Sequence, residues 1–467
     1  VDDGSYGFDN IAGVLRVSPT LLERYMGAAR KISALAVGAP VSIPVAEIFS
    51  IHPELRQSDS VEGLPFGTRG GTVVRHHFPV DGEYVLKIDL ARNGYNIVGL
   101  REPHEIEVSI DGESVQRFSV GEPADRGPRY RIPKGKSGEP LQRYYDTQFE
   151  NVRPRRAIRA PADAHLQFRV SVGAGPRQVG VTFLKKTAAQ IEGVRLPFMR
   201  PAIERGNTGG QPYIGTITIT GPFDEGGPGD TPSRQQVFLC RPSRAIDELA
   251  CATRILSTLT RRAYRRPATD TDLADLMPFF HEGTNKGGFD AGIGLALERL
   301  LVSPEFIFRI ERDPLDIPRN TAYRISDREL ASRLSFFLWS SIPDEELLGL
   351  AESGRLSDET VLKQQVHRML ADERSQTFVN NFSAQWLYLR NVPTVVPNQR
   401  LFPDFEESLR RAFRQETELL LDSVLREERS VLELLNADYT FVNERLARHY
   451  GMPNISGSHF RRVAISD

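Results

Sequence analysis

The chain has 467 residues, 40% of them hydrophobic and 26% charged, which is enough apolar mass for about two to four globular domains. Its 59 Lys and Arg nearly cancel its 61 Asp and Glu, for a net charge of −2. That balance excludes the basic footprint of a dedicated nucleic-acid binder, and no run approaches the roughly 18 apolar residues that span a bilayer. The chain opens at Val1 directly into Asp2-Asp3-Gly4, as a fragment or processed product would.

Residues 1–45 read as the tail of an N-terminal helical domain. Ser18 is placed to cap a helix with Pro19 in its first turn, and Leu22, Tyr25, Met26, Ala29 and Ile32 recur at helical spacing. Over residues 46–222 the period changes to two. Tyr84, Leu86, Ile88 and Leu90 alternate with polar neighbours, and so do Ile106, Val108 and Ile110 ahead of an Asp111-Gly112 turn. Val115, Phe118 and Val120 follow that turn; Leu166 to Val172, Val179 to Phe183, and Ile217 with Ile219 repeat the pattern. Such strands predict an antiparallel β-sandwich, with an Arg-, Pro- and Gly-rich excursion over about residues 121–163.

The stretch from Phe223 to Pro232 is a linker by composition, opening a linker and helical domain over residues 223–318. A second helical domain is expected over 319–440. There Ser326 and Glu329 form a capping box ahead of Leu330, Leu334, Phe337 and Leu338, and Asp404 with Glu407 repeats that logic ahead of Leu409 and Phe413. Residues 441–467 form a last short unit. The expected fold is multidomain α+β, an antiparallel β-sandwich inserted between helical regions and followed by all-α bundle domains.

Cys240 and Cys251 are the two cysteines. Their spacing fits neither a zinc knuckle nor a C-x-x-C redox pair, and no C-x-x-C-H haem attachment site exists. A disulfide closing a short loop and two reduced core thiols both remain open at this level. No phosphate loop, nucleophile elbow or catalytic cysteine setting occurs, so the residues select no reaction.

Several motifs resemble a known set. Gly7-Phe8-Asp9-Asn10, with Ser18-Pro19 and Leu22-Glu23-Arg24-Tyr25, resembles the end of the N-terminal domain of large planctomycete proteins that carry cytochrome c domains. Arg261 to Pro267 and Leu301 to Phe306 resemble the next domain of that family; Leu330 to Asp344 and Gln385-Trp386-Leu387 resemble the third. Phe441 to Gly451, running into Phe460 to Val463, is similar to the entry of the family's cytochrome-type domain. The resemblance implies an exported protein, periplasmic or at the cell surface, with haem c attached in segments outside this chain. It implies a haem-dependent oxidoreductase or electron carrier acting on an environmental substrate, with the haem domains of the same full-length protein as partners. Export would favour the disulfide. The sandwich resembles carbohydrate-binding modules by strand pattern, which points to polysaccharide as a further partner.

Candidate residues follow from these expectations. His449 lies nearest the expected haem segment and could supply an axial ligand; the alternative is a helix-end histidine serving terminal carbonyls. Asp224 and Asp230 flank a Gly-rich stretch and could bind calcium, although linkers are commonly acidic. Tyr95, Tyr130 and Tyr144 could stack on sugar rings, or simply pack the excursion. The nine histidines include no pair at zinc-site spacing, and His76 and His77 would point to opposite faces of a strand. Two arginine clusters, Arg153 to Arg159 and Arg261 to Arg266, suit interdomain ion pairs better than nucleic acid. Trp339 and Trp386 read as core. The expected function is scaffold and recognition within an exported redox protein. The alternatives are a non-redox glycan-binding or cell-envelope structural protein, and a polysaccharide hydrolase.

Overall fold

The structure is a computed structural model that describes residues 17–40, 43–93, 96–100, 103–121, 162–185, 211–309, 311, 317–318, 321–398 and 400–465. Helix α1 (Pro19–Val37) starts as expected, with the Ser18 side chain accepting from the Leu21 amide. Of the expected stripe only Ala29 is buried, together with Ser33 and Val37; Leu22, Tyr25, Met26 and Ile32 are exposed. The reason is that the contact of α1 is made by its C-terminal half, which enters the helical core described below.

The sandwich follows. One sheet contains β1 (Val45–Ser50), β10 (Ile214–Gly221) and β3 (Asp81–Leu90) in that order, with β11 (Glu225–Gly227) and β8 (Gln167–Val172) both paired to β3. The other runs β2 (Thr68–Phe78), β9 (Gly175–Leu184), β6 (His104–Ile110), β7 (Glu113–Val120). Between β3 and β6, the short strands β4 (Arg92–Asn93) and β5 (Asn96–Ile97) pair with each other. All of these pairings are antiparallel. Alternation is explained by one face of each sheet turning inward. Tyr84, Leu86, Ile88 and Leu90 from the first sheet meet Ile106, Val108, Val179, Val181 and Phe183 from the second in one core. The turn after Val172 does not close a hairpin: it carries the chain from one sheet to the other.

Beyond the sandwich come α2 (Pro232–Val237), α3 (Ala245–Tyr264), α4 (Asp270–Leu301) and α5 (Pro304–Ile307). Helix α4 is broken at Gly287 and Gly288, the latter at φ 78°, a conformation that glycine adopts without a Cβ penalty. The two halves fold together so closely that a Cβ on Gly283 would lie 2.5 Å from the Ala291 carbonyl oxygen. Ala252, Ile255, Leu256, Phe280, Ile293 and Ala296 form this core, and Val37 of α1 belongs to it. The sandwich is thus inserted into a helical unit whose parts lie on either side of it in sequence. Arg234 joins the two sides: its guanidinium is buried, donates to the Val37 carbonyl at the end of α1, and pairs with Asp290 of α4 at 2.6 Å. Cys240 and Cys251 are disulfide-bonded beside this junction.

The remaining helices form two further clusters. Helices α6 (Asp327–Trp339), α7 (Glu345–Glu352) and α8 (Glu359–Ala371) enclose Ala331, Trp339, Leu347, Leu356 and Met369. The Ser326–Glu329 capping box forms as expected. Then come α9 (Gln376–Trp386), α10 (Glu407–Arg426), α11 (Glu433–Asn436), β12 (Tyr439–Val442), α12 (Glu444–Tyr450) and β13 (Arg461–Ala464). Within the helical half, β12 and β13 form an antiparallel ribbon against α10 and α12, with Leu409, Ala412, Val442, Leu446 and Ala447 between them.

Two consequences for stability can be measured. Arg234→Met leaves the buried Val37 carbonyl without its donor while Asp290 keeps Arg241, so it should cost about 2 kcal/mol by urea unfolding. Arg241→Ala, which removes the exposed second partner of Asp290, should cost under about 1 kcal/mol. Asp272 is held at about 2, chiefly by the Arg266 guanidinium and then by the Thr269 amide and hydroxyl, against burial. A carboxyl lowered in the folded state adds stability that is present above its unfolded pKa of 3.8 and lost as pH falls through about 2. Unfolding at pH 6 and pH 2 should reveal a loss of stability from this group, and Asp272→Asn should remove that part of the pH dependence.

Candidate functional site

The site is built at the junction of α10 and α12. Sequence spacing favoured Asp404 as the cap of α10, but the cap is Glu406, whose carboxylate accepts from the amides of Ser408 and Leu409. Glu406 is fully buried, and a buried carboxylate must be paired. Arg445 of α12 meets it at 2.8 Å and also donates to the Asp404 carbonyl. With Glu406 doing the capping, the Asp404 carboxylate is turned instead to His449, with Oδ2 3.7 Å from Nδ1.

His449 stands in the last turn of α12, partly exposed, with its ring edge-on to Phe413 at 5.2 Å. The terminal carbonyls of Ala447 and Arg448 are taken by the Gly451 and Met452 amides, so the histidine is not spent on closing its own helix. Its neighbour Tyr450 donates to Glu416 at 2.7 Å, and Thr440 donates to the other oxygen of that carboxylate. Burial first, and then the Glu416 charge, hold the Tyr450 hydroxyl well above the usual tyrosine range. The Asp404 carboxylate near Nδ1 and the Phe413 edge are thus the neighbours of the imidazole in this structure.

The other sequence candidates fall in different places. Asp230 accepts from Gln235 at 3.0 Å and the Asp224 side chain is exposed. Among the described residues no group of three or more His, Cys, Asp or Glu side chains could hold a metal ion. Tyr95, Tyr130, Tyr144 and the cluster Arg153 to Arg159 lie outside the described residues. The second arginine cluster makes ion pairs: Arg261 with Glu352 at 2.9 Å, tying α3 to α7, and Arg266 with Asp272 at 2.6 Å. Arg265 ends α3 in the left-handed region and donates to the carbonyls of Ala263, Glu305 and Phe308. His76 bonds Glu47 at 2.8 Å, and burial pushes both His76 and His77 down.

Trp339 is core, with its indole N–H on the Met369 carbonyl and Arg374 over its ring. Trp386, expected in the core, is 45% exposed. It ends a row of rings, Phe337, Phe378, Phe382 and Trp386, with successive centroids 5.0, 5.4 and 5.4 Å apart. Phe378 and Phe382 also line an open apolar groove of about 350 Å³ between α9 and α10, with Val431 and Leu434 in its lining. The spacing of residues 378, 382 and 386 was the signal for this row, and it reads equally well as a core face.

Among the described residues no helix is long and apolar enough to cross a membrane. No curated protein and no solved structure matches the chain. Residues 1–38 match PSD3, a protein of unknown function (DUF1587), and residues 251–311 match PSD5 (DUF1595). Residues 325–452 match PSD4 (DUF1592), a stretch that runs from the α6 cap through α12 and includes His449. None of these stretches includes the sandwich. The chain therefore carries three of the domain families associated with planctomycete cytochrome c proteins.

Proposed function

We propose that this chain is the scaffold and recognition portion of an exported c-type cytochrome-associated redox protein, serving electron transfer linked to an environmental substrate. The observation that carries the reading is the position of His449 inside the PSD4 match, on a helix end anchored by the buried Glu406–Arg445 pair. Haem c, attached in segments outside this chain, supplies one-electron chemistry when bound. Within this chain, His449 is the residue that would meet it, with Asp404 and Phe413 as its neighbours. The disulfide supports export, because oxidising compartments sustain such bonds. The sandwich is assigned the recognition role, with polysaccharide as ligand and Tyr95, Tyr130 and Tyr144 as stacking residues.

A reduced-minus-oxidised absorption spectrum of the full-length protein should show sharp c-type bands with covalent haem mass. A flat spectrum would remove the redox role and leave the non-redox reading, a glycan-binding or cell-envelope structural protein. In that same protein His449→Ala should change the ligand-sensitive bands; an unchanged spectrum would confine His449 to its helix end. Polysaccharide retention by the full chain should fall about ten-fold when Tyr130 and Tyr144 are replaced by Ala, about 1.4 kcal/mol. Equal retention would sink the stacking assignment.

A further inference from the structure

Between β1 and β2 the chain leaves the first sheet at Ile51 and enters the second at Thr68. Gln57, in this connection, is 3% exposed and acts as a short piece of strand. Its Nε2 donates to the Ile214 carbonyl at 2.8 Å, and its Oε1 accepts from the amides of Ile214 at 2.9 Å and Gly71 at 3.1 Å. Arg69 donates to the carbonyls of Gln57 and Pro212, and the Gly70 amide donates to the Asp59 carbonyl at 2.7 Å. Seating this residue bends β2: the register shifts between Arg69 and Thr72, and Gly70 and Gly71 stand at φ +55° and +84°. A Cβ at Gly70 would lie 2.3 Å from the Gln57 carbonyl oxygen, and one at Gly71 1.8 Å from that of Val181. The sandwich therefore grips residues 56–59 through several buried hydrogen bonds at once.

The other side of the same loop meets the helical half. The Arg56 amide donates to Ser408 Oγ at 3.1 Å. Ser408 lies in the first turn of α10, with its own amide on Glu406. Nearby, the charge of Asp59 is felt together with those of Glu444 and Arg448, and that of His52 reaches Glu407. A line of hydrogen bonds thus runs from Ile214 of β10 through Gln57, the backbone to Arg56, and Ser408, to Glu406 and Arg445 of α12. The sandwich and the PSD4 stretch, separated by hundreds of residues, meet at this loop.

We propose that the loop around Gln57 is a joint that makes the sandwich and the C-terminal helical unit one cooperative body, with the capped end of α10 as its receiving surface. Opening the seat of Gln57 then loosens the cap of α10, and loosening the cap loosens the seat, because coupling between two sites is reciprocal. The inference rests on these contacts alone, so it stands or falls independently of the redox reading.

Amide hydrogen exchange on the full chain tests it. Gln57→Leu should speed exchange at Ile214 and Gly71 and also, at least about ten-fold, at Leu409 and Arg410. Ile255 and Leu297 of the other helical core should keep their wild-type rates. Ser408→Ala, a mild change at the receiving surface, should speed exchange at Gly70 and Gly71 as well as at Arg56. Effects confined to the sandwich in the first variant and to Arg56 in the second would overturn the proposal. If Gln57→Leu does not fold, Ser408→Ala decides alone: unchanged exchange at Gly70 and Gly71 overturns the joint.

Discussion

The fold depends on how a chain interrupted by a whole sandwich closes its first helical core. Val37 and the helices after residue 231 share that core, yet the sandwich lies between them in sequence. Loop closure over so long an excursion carries an entropic cost that grows only slowly with length, so a few specific contacts are sufficient to hold it. Arg234 provides them in one side chain. Its planar guanidinium bonds a helix-end carbonyl of α1 and a carboxylate of α4 while lying against Phe238, a combination that a lysine could not make. The burial of that charge is tolerable because both terminal nitrogens meet an acceptor and the face of the guanidinium lies over a ring.

Much of the sandwich was legible because its inner faces are regular. The strand around Tyr84 to Leu90 alternates cleanly, with each buried position where period two places it; Val179, Val181 and Phe183 also follow it, although Gly180 and Thr182 between them are buried too. Strands β1 and β2 were not legible. Arg69-Gly70-Gly71 interrupts the pattern of β2 because it seats Gln57, and β1 is a mostly exposed edge with no buried alternation to show. The turn after Val172 is set by local sequence, while the change of sheet there is made by which partner strands are free. In α1 the helix was legible but its buried face was not, since a stripe is covered only as far as a neighbour reaches.

At the candidate site, the sequence marked His449 and the start of α10 but misassigned the cap. Asp404 has the better cap chemistry, and a glutamate is an unusual choice. Glu406 takes the position because Arg445, far along the chain, compensates its buried charge; no local window contains that partner. The same cause hid the role of Asp404, which faces His449 because the cap does not need it. The aromatic row ending at Trp386 shows the opposite failure. Helical spacing of large rings ordinarily signals core, yet here both end rings, Phe337 and Trp386, are exposed and the two between them are only partly buried.

The near-zero net charge acquires a positive meaning once the pairs are located. Arg30 meets Glu298, Arg261 meets Glu352, Arg333 meets Glu311, Arg368 meets Asp344, Arg445 meets Glu406 and Arg462 meets Glu427. Most of these join different elements rather than successive turns of one helix. Their exposed members add little stability each, but a wrong arrangement of units would strand several charges at once, and that penalises misassembly more than the pairs reward assembly. The Arg445–Glu406 pair is nearly dry, and Arg234 is itself buried. They stand where the chain is most easily misassembled, one where the sandwich interrupts the first core and the other where α12 returns to α10. Arginine and acid are therefore distributed along this sequence according to the junctions between its units, a pattern visible in composition as balance and in structure as position.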